Sequence, residues 1–469
     1  MNRNTAPTLW ELAEKCLLSD VPAAIQALEV LPKHLFIPLF KTAFLGRQKE
    51  MLKAMVKVWP FHCLHIGTLK IQERPYEIME ALVDGLQFIP VENSPPRGPK
   101  LRILDLRQNI ECRITCSYRT KCAVCFHSCV YSERSILEVE EALNEVQCRD
   151  VVPSESDPGS VWKTAELLIN LSFNSTLTTK RFLSFLKSKV EQSSGSLHLC
   201  CRYLQINQTS VHTNMLQILD PACIDRLEVN RVHLRRVTTL FPQLKHLDSL
   251  KLTSIPYQSC SGPNFEIFLI WLEKLDILQE LNLSFFCLSN RVHRLLSVLQ
   301  SPIHLTSLSL PFCDLSNRDI TVLSQCSQVT HLKRLNLSNN LIFWGGREPF
   351  QILLERVSDT LQHLEINNCQ VTDSALEIII PALTRCSHLR VILMALNPVT
   401  MSALENLLQS LTPMVNLKSV VYPIPAHCYE DGSFPGSLNR QKLGAVKVRL
   451  NILLQMARRS DMSWTTYPE

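Results

Sequence analysis

Five thiols and one imidazole crowd into a single short stretch: Cys112, Cys116, Cys122, Cys125, His127 and Cys129. Thiolate and neutral imidazole are the donors that tetrahedral zinc prefers, and Cys122-x-x-Cys125 has the spacing of half a zinc site. The other intervals fit no common zinc pattern, so the stretch carries two readings, a zinc loop or a loop of reduced thiols. Nothing else in the chain is arranged for chemistry. There is no GxxxxGK[ST] phosphate loop, no GxSxG nucleophile elbow, no HExxH and no dinucleotide fingerprint. Only 12 glycines occur in 469 residues, so loops that bring backbone close to a cofactor are scarce. The chain reads as non-catalytic, with no cofactor.

Composition narrows the class further. A hydrophobic content of 46% permits a large core, and a net charge of +5 is mild. Basic runs are short (Arg235-Arg236, Arg458-Arg459) and lack interleaved aromatics, so no direct nucleic-acid binding is expected. The first residues are polar and no long apolar run follows, which predicts neither signal peptide nor membrane span. In such a chain 18 cysteines read as reduced thiols, many at buried positions, and the compartment expected is cytoplasmic, nuclear or both.

Whatever surface the protein uses is positioned by a repeat. Leucine triads begin at Leu278, Leu305, Leu332, Leu361, Leu389 and Leu417, at intervals of 27, 27, 29, 28 and 28 residues. Eight residues after a triad opens stand Cys313, Asn340, Cys369 and Asn397, followed by Leu315, Ile342, Val371 and Val399. This is the LxxLxLxxN/CxL pattern of leucine-rich repeats. The L-x-L pair faces one side of a short strand, and the intervening Asn282, Ser309, Asn336 and Glu365 point out as substrate-facing positions. Helical spacing follows in each repeat, as at Ala375, Leu376, Ile379 and Leu383. The predicted fold is an α/β leucine-rich-repeat solenoid (horseshoe) with an N-terminal helical cap.

Along the chain, four regions are expected. Residues 1–60 form the helical cap, opened by a capping box from Thr8 to Glu11. Residues 61–160 hold an isolated repeat strand (Leu101 to Asn109), the cysteine-rich insertion, an acidic helix-like run and a linker. Residues 161–435 form the solenoid, beginning with helices near Thr164–Leu171 and Thr179–Val190 and weaker strands at Cys201, Ile224 and Leu247. Residues 436–469 hold a capping helix, about Asn439 to Met456, and a tail.

Leu9-Trp-Glu-Leu-Ala13, Leu31-Pro-Lys-His-Leu-Phe-Ile-Pro-Leu-Phe40, Lys53-Ala-Met-Val-Lys-Val-Trp-Pro-Phe61 and Leu101-Arg-Ile-Leu-Asp-Leu-Arg107 are distinctive segments. In them the chain resembles the PRAME family, named for preferentially expressed antigen in melanoma. Leu197-His-Leu-Cys-Cys-Arg202, Tyr422-Pro-Ile-Pro425 and Tyr429-Glu-Asp431 extend the likeness over nearly the whole chain. At the cysteine-rich stretch the chain departs from the family's usual tryptophan-containing sequence. The resemblance implies a substrate receptor of a Cullin-2 RING ubiquitin ligase, held through Elongins B and C, that presents a protein for degradation. It also implies repression of transcription, notably retinoic-acid signalling, and restraint of apoptosis and differentiation. Thr8, Leu9, Ala13 and Leu17 fit the family's Elongin C-binding box, and Leu31, Pro32, Leu35 and Leu39 fit its Cullin-2 box. The alternative is an interaction protein that sequesters a transcriptional or chromatin regulator, with purely structural N-terminal helices. Two LxxLL segments, Leu404-Glu-Asn-Leu407-Leu408 and Leu450-Asn-Ile-Leu453-Leu454, have the form that docks on nuclear receptors, but both fall in helices whose leucines face the core. The substrate protein itself has no signature in the sequence.

Overall fold

The computed structural model describes residues 9–61, 63–66, 76–86, 101, 103–107, 165–173, 177–193, 195–207, 219–244, 246–260, 262–299, 305–430, 434 and 436–467. The cluster from Cys112 to Cys129, the acidic run, the linker and Thr8 lie outside these residues. The chain forms two compact units, Met1–Leu204 with Val211–Cys223, and Gln205–Ser210 with Ile224–Glu469.

The first unit opens with four helices, α1 (Leu9–Ser19), α2 (Val21–Ala27), α3 (Lys33–Leu45) and α4 (Lys49–Lys57). Asp20 separates the first two, its side chain accepting from the Ala23 amide at the start of α2. Pro32 stands at the N-cap of α3, where a missing N–H costs nothing. Phe36, Phe40 and Trp59 pack edge-on in the centre. Next come α5 (Tyr76–Asp84) and strands β1 (Cys63–His65), β2 (Ile103–Asp105), β3 (Ala165–Phe173) and β4 (Leu197–Asn207), with α6 (Leu177–Gln192) between the last two. The strands lie in chain order, and Leu64, Leu104 and Leu167 form one fully buried rung.

Two expectations are corrected here. The strand at Leu101–Asn109 is not isolated, because β2 is paired on both sides, with β1 and β3. The helix expected at Thr164–Leu171 is the strand β3. Ala165, Leu167, Ile169 and Leu171 are buried while Glu166, Asn170 and Ser172 are half-exposed, a period-two pattern interrupted only by Leu168, which is also buried. Leu167, Leu168 and Leu171 also satisfy helical spacing, and tertiary pairing decides between the two periods.

The second unit is the leucine-rich-repeat solenoid. Its strands are β5 (Arg226–Asn230), β6 (Ser249–Thr253), β7 (Glu280–Ser284), β8 (Ser307–Ser309), β9 (Arg334–Asn336), β10 (His363–Glu365), β11 (Val391–Leu393), β12 (Ser419–Val421) and β13 (Ser463–Thr465). They form an open parallel sheet in chain order, each repeat paired with the next. The helices that return the chain are α7 (Leu234–Thr238), α8 (Pro263–Leu272), α9 (Val292–Val298), α10 (Asn317–Gln325), α11 (Glu348–Val357), α12 (Asp373–Arg385) and α13 (Met401–Leu411). Then α14 (Arg440–Met456) precedes β13. Leu281, Leu308, Leu335, Leu364 and Ile392 make a continuous buried row beneath the sheet.

The bends after β8, β9, β10 and β11 are held by the residue eight places into the repeat. Asn340 Oδ1 accepts from the amides of Cys313 and Leu315 at 3.0 Å each, and its Nδ2 donates to the carbonyls of Leu310 and Leu337 at 2.8 Å. Asn397 repeats the arrangement on the amides of Cys369 and Val371 and the carbonyls of Ile366 and Met394. Cys313 and Cys369 turn their thiols onto the Leu283 and Leu337 carbonyls. Burial pushes both thiols up to about 12, so they stay neutral.

Asn340→Leu would strand the Cys313 and Leu315 amides and the Leu310 carbonyl and leave the Leu337 carbonyl only the Cys369 thiol, and a loss of about 3–5 kcal/mol is expected in urea unfolding. Cys369→Ala removes only a weak thiol donor and should cost about 1 kcal/mol. In native protein at neutral pH, a maleimide should label exposed Cys16 rapidly while Cys313, Cys369 and Cys386 react only after denaturation, as mass spectrometry of the peptides would report.

Candidate interaction surface

The outward positions of the solenoid strands form two rows. Glu280, Ser307, Arg334 and His363 pair in register in one, and Asn282, Ser309, Asn336 and Glu365 in the other. All but Arg334 are half-exposed, and Arg334 is exposed. The side chains bond to one another across the rungs. Arg334 pairs with Glu280 and donates from Nε to Ser307 Oγ at 3.3 Å. Asn336 Nδ2 donates to Glu365 Oε2 at 2.8 Å, and His363 Nε2 lies 2.7 Å from Glu365 Oε1. Toward β5 the rows carry the Glu228–Lys251 pair at 3.0 Å, and toward β11 they become apolar at Val391 and Leu393. A partner therefore meets a polar lattice whose rotamers are already fixed, grading into an apolar end.

At the rim of this face lies a feature that the sequence reading missed. In the bends after β5 to β11, the residue five places beyond the first residue of each strand adopts a left-handed backbone: Arg231, Ser254, Phe285, Phe312, Asn339, Asn368 and Leu396. Asparagine tolerates this conformation; phenylalanine does not. Yet Phe285 and Phe312 both hold φ of 56°, and their rings stack 4.2 Å apart at 7°. They remain 50% and 45% exposed, so the pair is a flat aromatic platform open to solvent. The signal was present as two phenylalanines at one position of successive repeats, seven residues after Leu278 and Leu305.

The other sequence-derived sites lie in helices or, for Leu31 and Pro32, just before one. Ala13 is exposed and Leu17 half-buried on α1; Leu9 begins that helix. Leu31 and Leu35 are half-buried, Pro32 is exposed, and Leu39 is buried within the helical core. Leu404, Leu407 and Leu408 are all buried, so the first LxxLL segment has no accessible face. In the second, Leu450 is buried and Leu453 and Leu454 are half-buried. Among the described residues one group has metal-ligand geometry, His198, Asp220 and Cys223, a set the sequence reading did not assemble. No described helix is long and apolar enough to cross a membrane.

Family models for the PRAME N-terminal domain and the PRAME C-terminal domain match residues 6–112 and 165–467. The chain belongs to the PRAME family. Leucine-rich repeat-containing protein 14 of Bos taurus is 32% identical to it, covering 98% of this chain and 97% of that protein. PRAME family member 12 of Homo sapiens is 33% identical, covering 92% and 87%. Bonded repeats, an open polar face and full-length likeness to leucine-rich-repeat proteins make this PRAME relative a leucine-rich-repeat interaction protein.

If the aromatic platform serves binding and not folding, Phe285→Gly should leave stability nearly unchanged. Relief of left-handed strain, about 1–2 kcal/mol, offsets a lost stacking term of about 0.5–1.5 kcal/mol. A urea-unfolding loss above about 2 kcal/mol would make the stack structural instead.

Proposed function

We propose that this protein is a substrate receptor of a Cullin-2 RING ubiquitin ligase, docked through Elongins B and C. In this reading the solenoid face holds a protein at a fixed distance from the ubiquitin-transferring end of the ligase. No catalytic residue is required of such a receptor, since its contribution is positioning.

The observation that carries the proposal is the orientation of α1. Leu9, Ala13 and Leu17 recur every fourth residue and so share one stripe of the helix. Leu12 and Ala13 are exposed, while Glu14 and Leu18, one step round, turn inward. Glu14 Oε2 accepts from Thr42 Oγ1 of α3 at 2.7 Å, which fixes the rotation of the helix. A small exposed residue between two leucines permits close approach of a partner helix, with Leu9 as the anchor. In the second box Pro32 is exposed and Leu35 half-buried, which leaves both open to a partner such as the cullin, and buried Leu39 holds α3 in position.

The competing reading, a module that sequesters a transcriptional or chromatin regulator without a ligase, is favoured by the Phe285–Phe312 platform, which needs no docked cullin to bind. Co-purification of endogenous Elongins B and C and Cullin-2 from cells separates the two. Wild type should recover all three, and a Leu9→Asp, Ala13→Asp variant that keeps its circular dichroism should lose them. Failure of wild type to recover them would leave the sequestering module standing.

A further inference from the structure

Three side chains of the first unit converge on one point. His198 lies on β4, and Asp220 and Cys223 lie in the turn at residues 219–223. His198 Nε2 is 3.1 Å from Asp220 Oδ2, Cys223 Sγ is 3.8 Å from His198 Nε2, and Cys223 Sγ is 3.7 Å from Asp220 Oδ2. In a tetrahedral zinc site with Zn–S of about 2.3 Å and Zn–N and Zn–O of about 2.0–2.2 Å, sulfur stands about 3.6 Å from nitrogen or oxygen, and nitrogen about 3.4 Å from oxygen. The observed triangle matches one face of that tetrahedron.

The fourth corner has its own candidate. Cys200 follows His198 by two residues, so both side chains leave β4 on the same face. Its thiol is buried and hydrogen-bonded to Cys223. Two thiolates, an imidazole and a carboxylate form a donor set suited to zinc, and Cys200, which stands outside the converging trio, can close the coordination sphere by a change of rotamer. The carboxylate is already aimed, because Asp220 Oδ1 accepts from the Ala222 amide at 2.9 Å and leaves Oδ2 facing the other two. His198 and Asp220 side chains keep 36% and 41% of their surface exposed, so an ion can enter.

The arrangement does not suit a nucleophile. In a Cys–His–Asp relay the acid takes the ring nitrogen opposite the thiol. Here Asp220 and Cys223 both approach Nε2. Hydrogen bonding to Cys200, with burial, also raises the Cys223 thiol, the reverse of activation.

We propose that His198, Asp220 and Cys223 form a structural zinc site, completed by Cys200 on metal binding, that ties the start of β4 to the turn at 219–223. This site is separate from the stretch at Cys112–Cys129 and needs none of its residues. Metal binding of this kind adds to folding stability because the preformed ligand set is lost on unfolding.

The full-length chain, purified without a metal-affinity tag, should carry one zinc per molecule by plasma mass spectrometry. Reconstitution of the chelator-stripped protein with cobalt(II) should give thiolate charge-transfer absorption and the intense visible bands of a tetrahedral ion. Cys223→Ser should weaken binding by at least about 100-fold and the near-isosteric Asp220→Asn by about 10-fold or more, while Cys122→Ser with Cys125→Ser should leave the bands intact. If Cys223→Ser fails to fold, Asp220→Asn decides the matter. Wild type without stoichiometric metal and without cobalt–thiolate bands would overturn the proposal. Bands that survive both Cys223→Ser and Asp220→Asn but vanish in the Cys122, Cys125 variant would overturn it equally.

Discussion

The solenoid depends on what happens to the backbone just after each strand. There the chain turns from sheet toward helix, and its amides and carbonyls point into the interior, away from water. Burying them unpaired would cost about 1–3 kcal/mol for each group. A primary amide is the side chain that can both donate and accept across that bend, and Asn340 and Asn397 do so for the cysteine-bearing repeats before them. Cys313 and Cys369 need only reach one carbonyl and so can be thiols. The alternation of Cys and Asn is thus a division of hydrogen-bonding labour between neighbours.

From those bends the outer face inherits its precision. Rungs locked in register set the spacing of Asn282, Ser309, Asn336 and Glu365, and the side chains then bond among themselves. Such a surface loses little side-chain freedom on binding, which favours affinity without any moving part. The same rigidity forces Phe285 and Phe312 into a backbone conformation they would not choose, and holds their rings in contact.

Much of this was legible in the residues. The leucine triads gave strand positions from β4 to β12, and the Cys/Asn position gave the bend chemistry, because a repeat states its pattern many times over. Single occurrences were harder. Strand β1 is three residues beside a proline-bearing turn, and β13 lacks the triad's first leucine, so neither shows a period. In β3 two periods coexist and only pairing with β2 decides between them. His198, Asp220 and Cys223 lie up to 25 residues apart, and no spacing rule joins a strand to a turn across that interval. The box residues on α1 and α3 could be named from sequence, but which of them face outward depends on how Glu14 and Leu39 pack.

The last rung of the sheet carries a consequence for biosynthesis. Strand β13 pairs with β12 through Ser463↔Ser419, Trp464↔Val420 and Thr465↔Val421, and Arg459 donates to the carbonyls of Met414 and Leu417 beside it. Ribosomes add about 5–20 residues per second, so β12 waits several seconds for its neighbour to be made. During that interval its N–H and C=O groups form an open edge that another nascent chain can extend. Pairing then moves the open edge from β12 to β13, the terminal strand of the sheet, which is three residues long. A chain that stopped just upstream of Ser463 would leave β12 as the open edge and would lack Trp464, the side chain buried on that last rung.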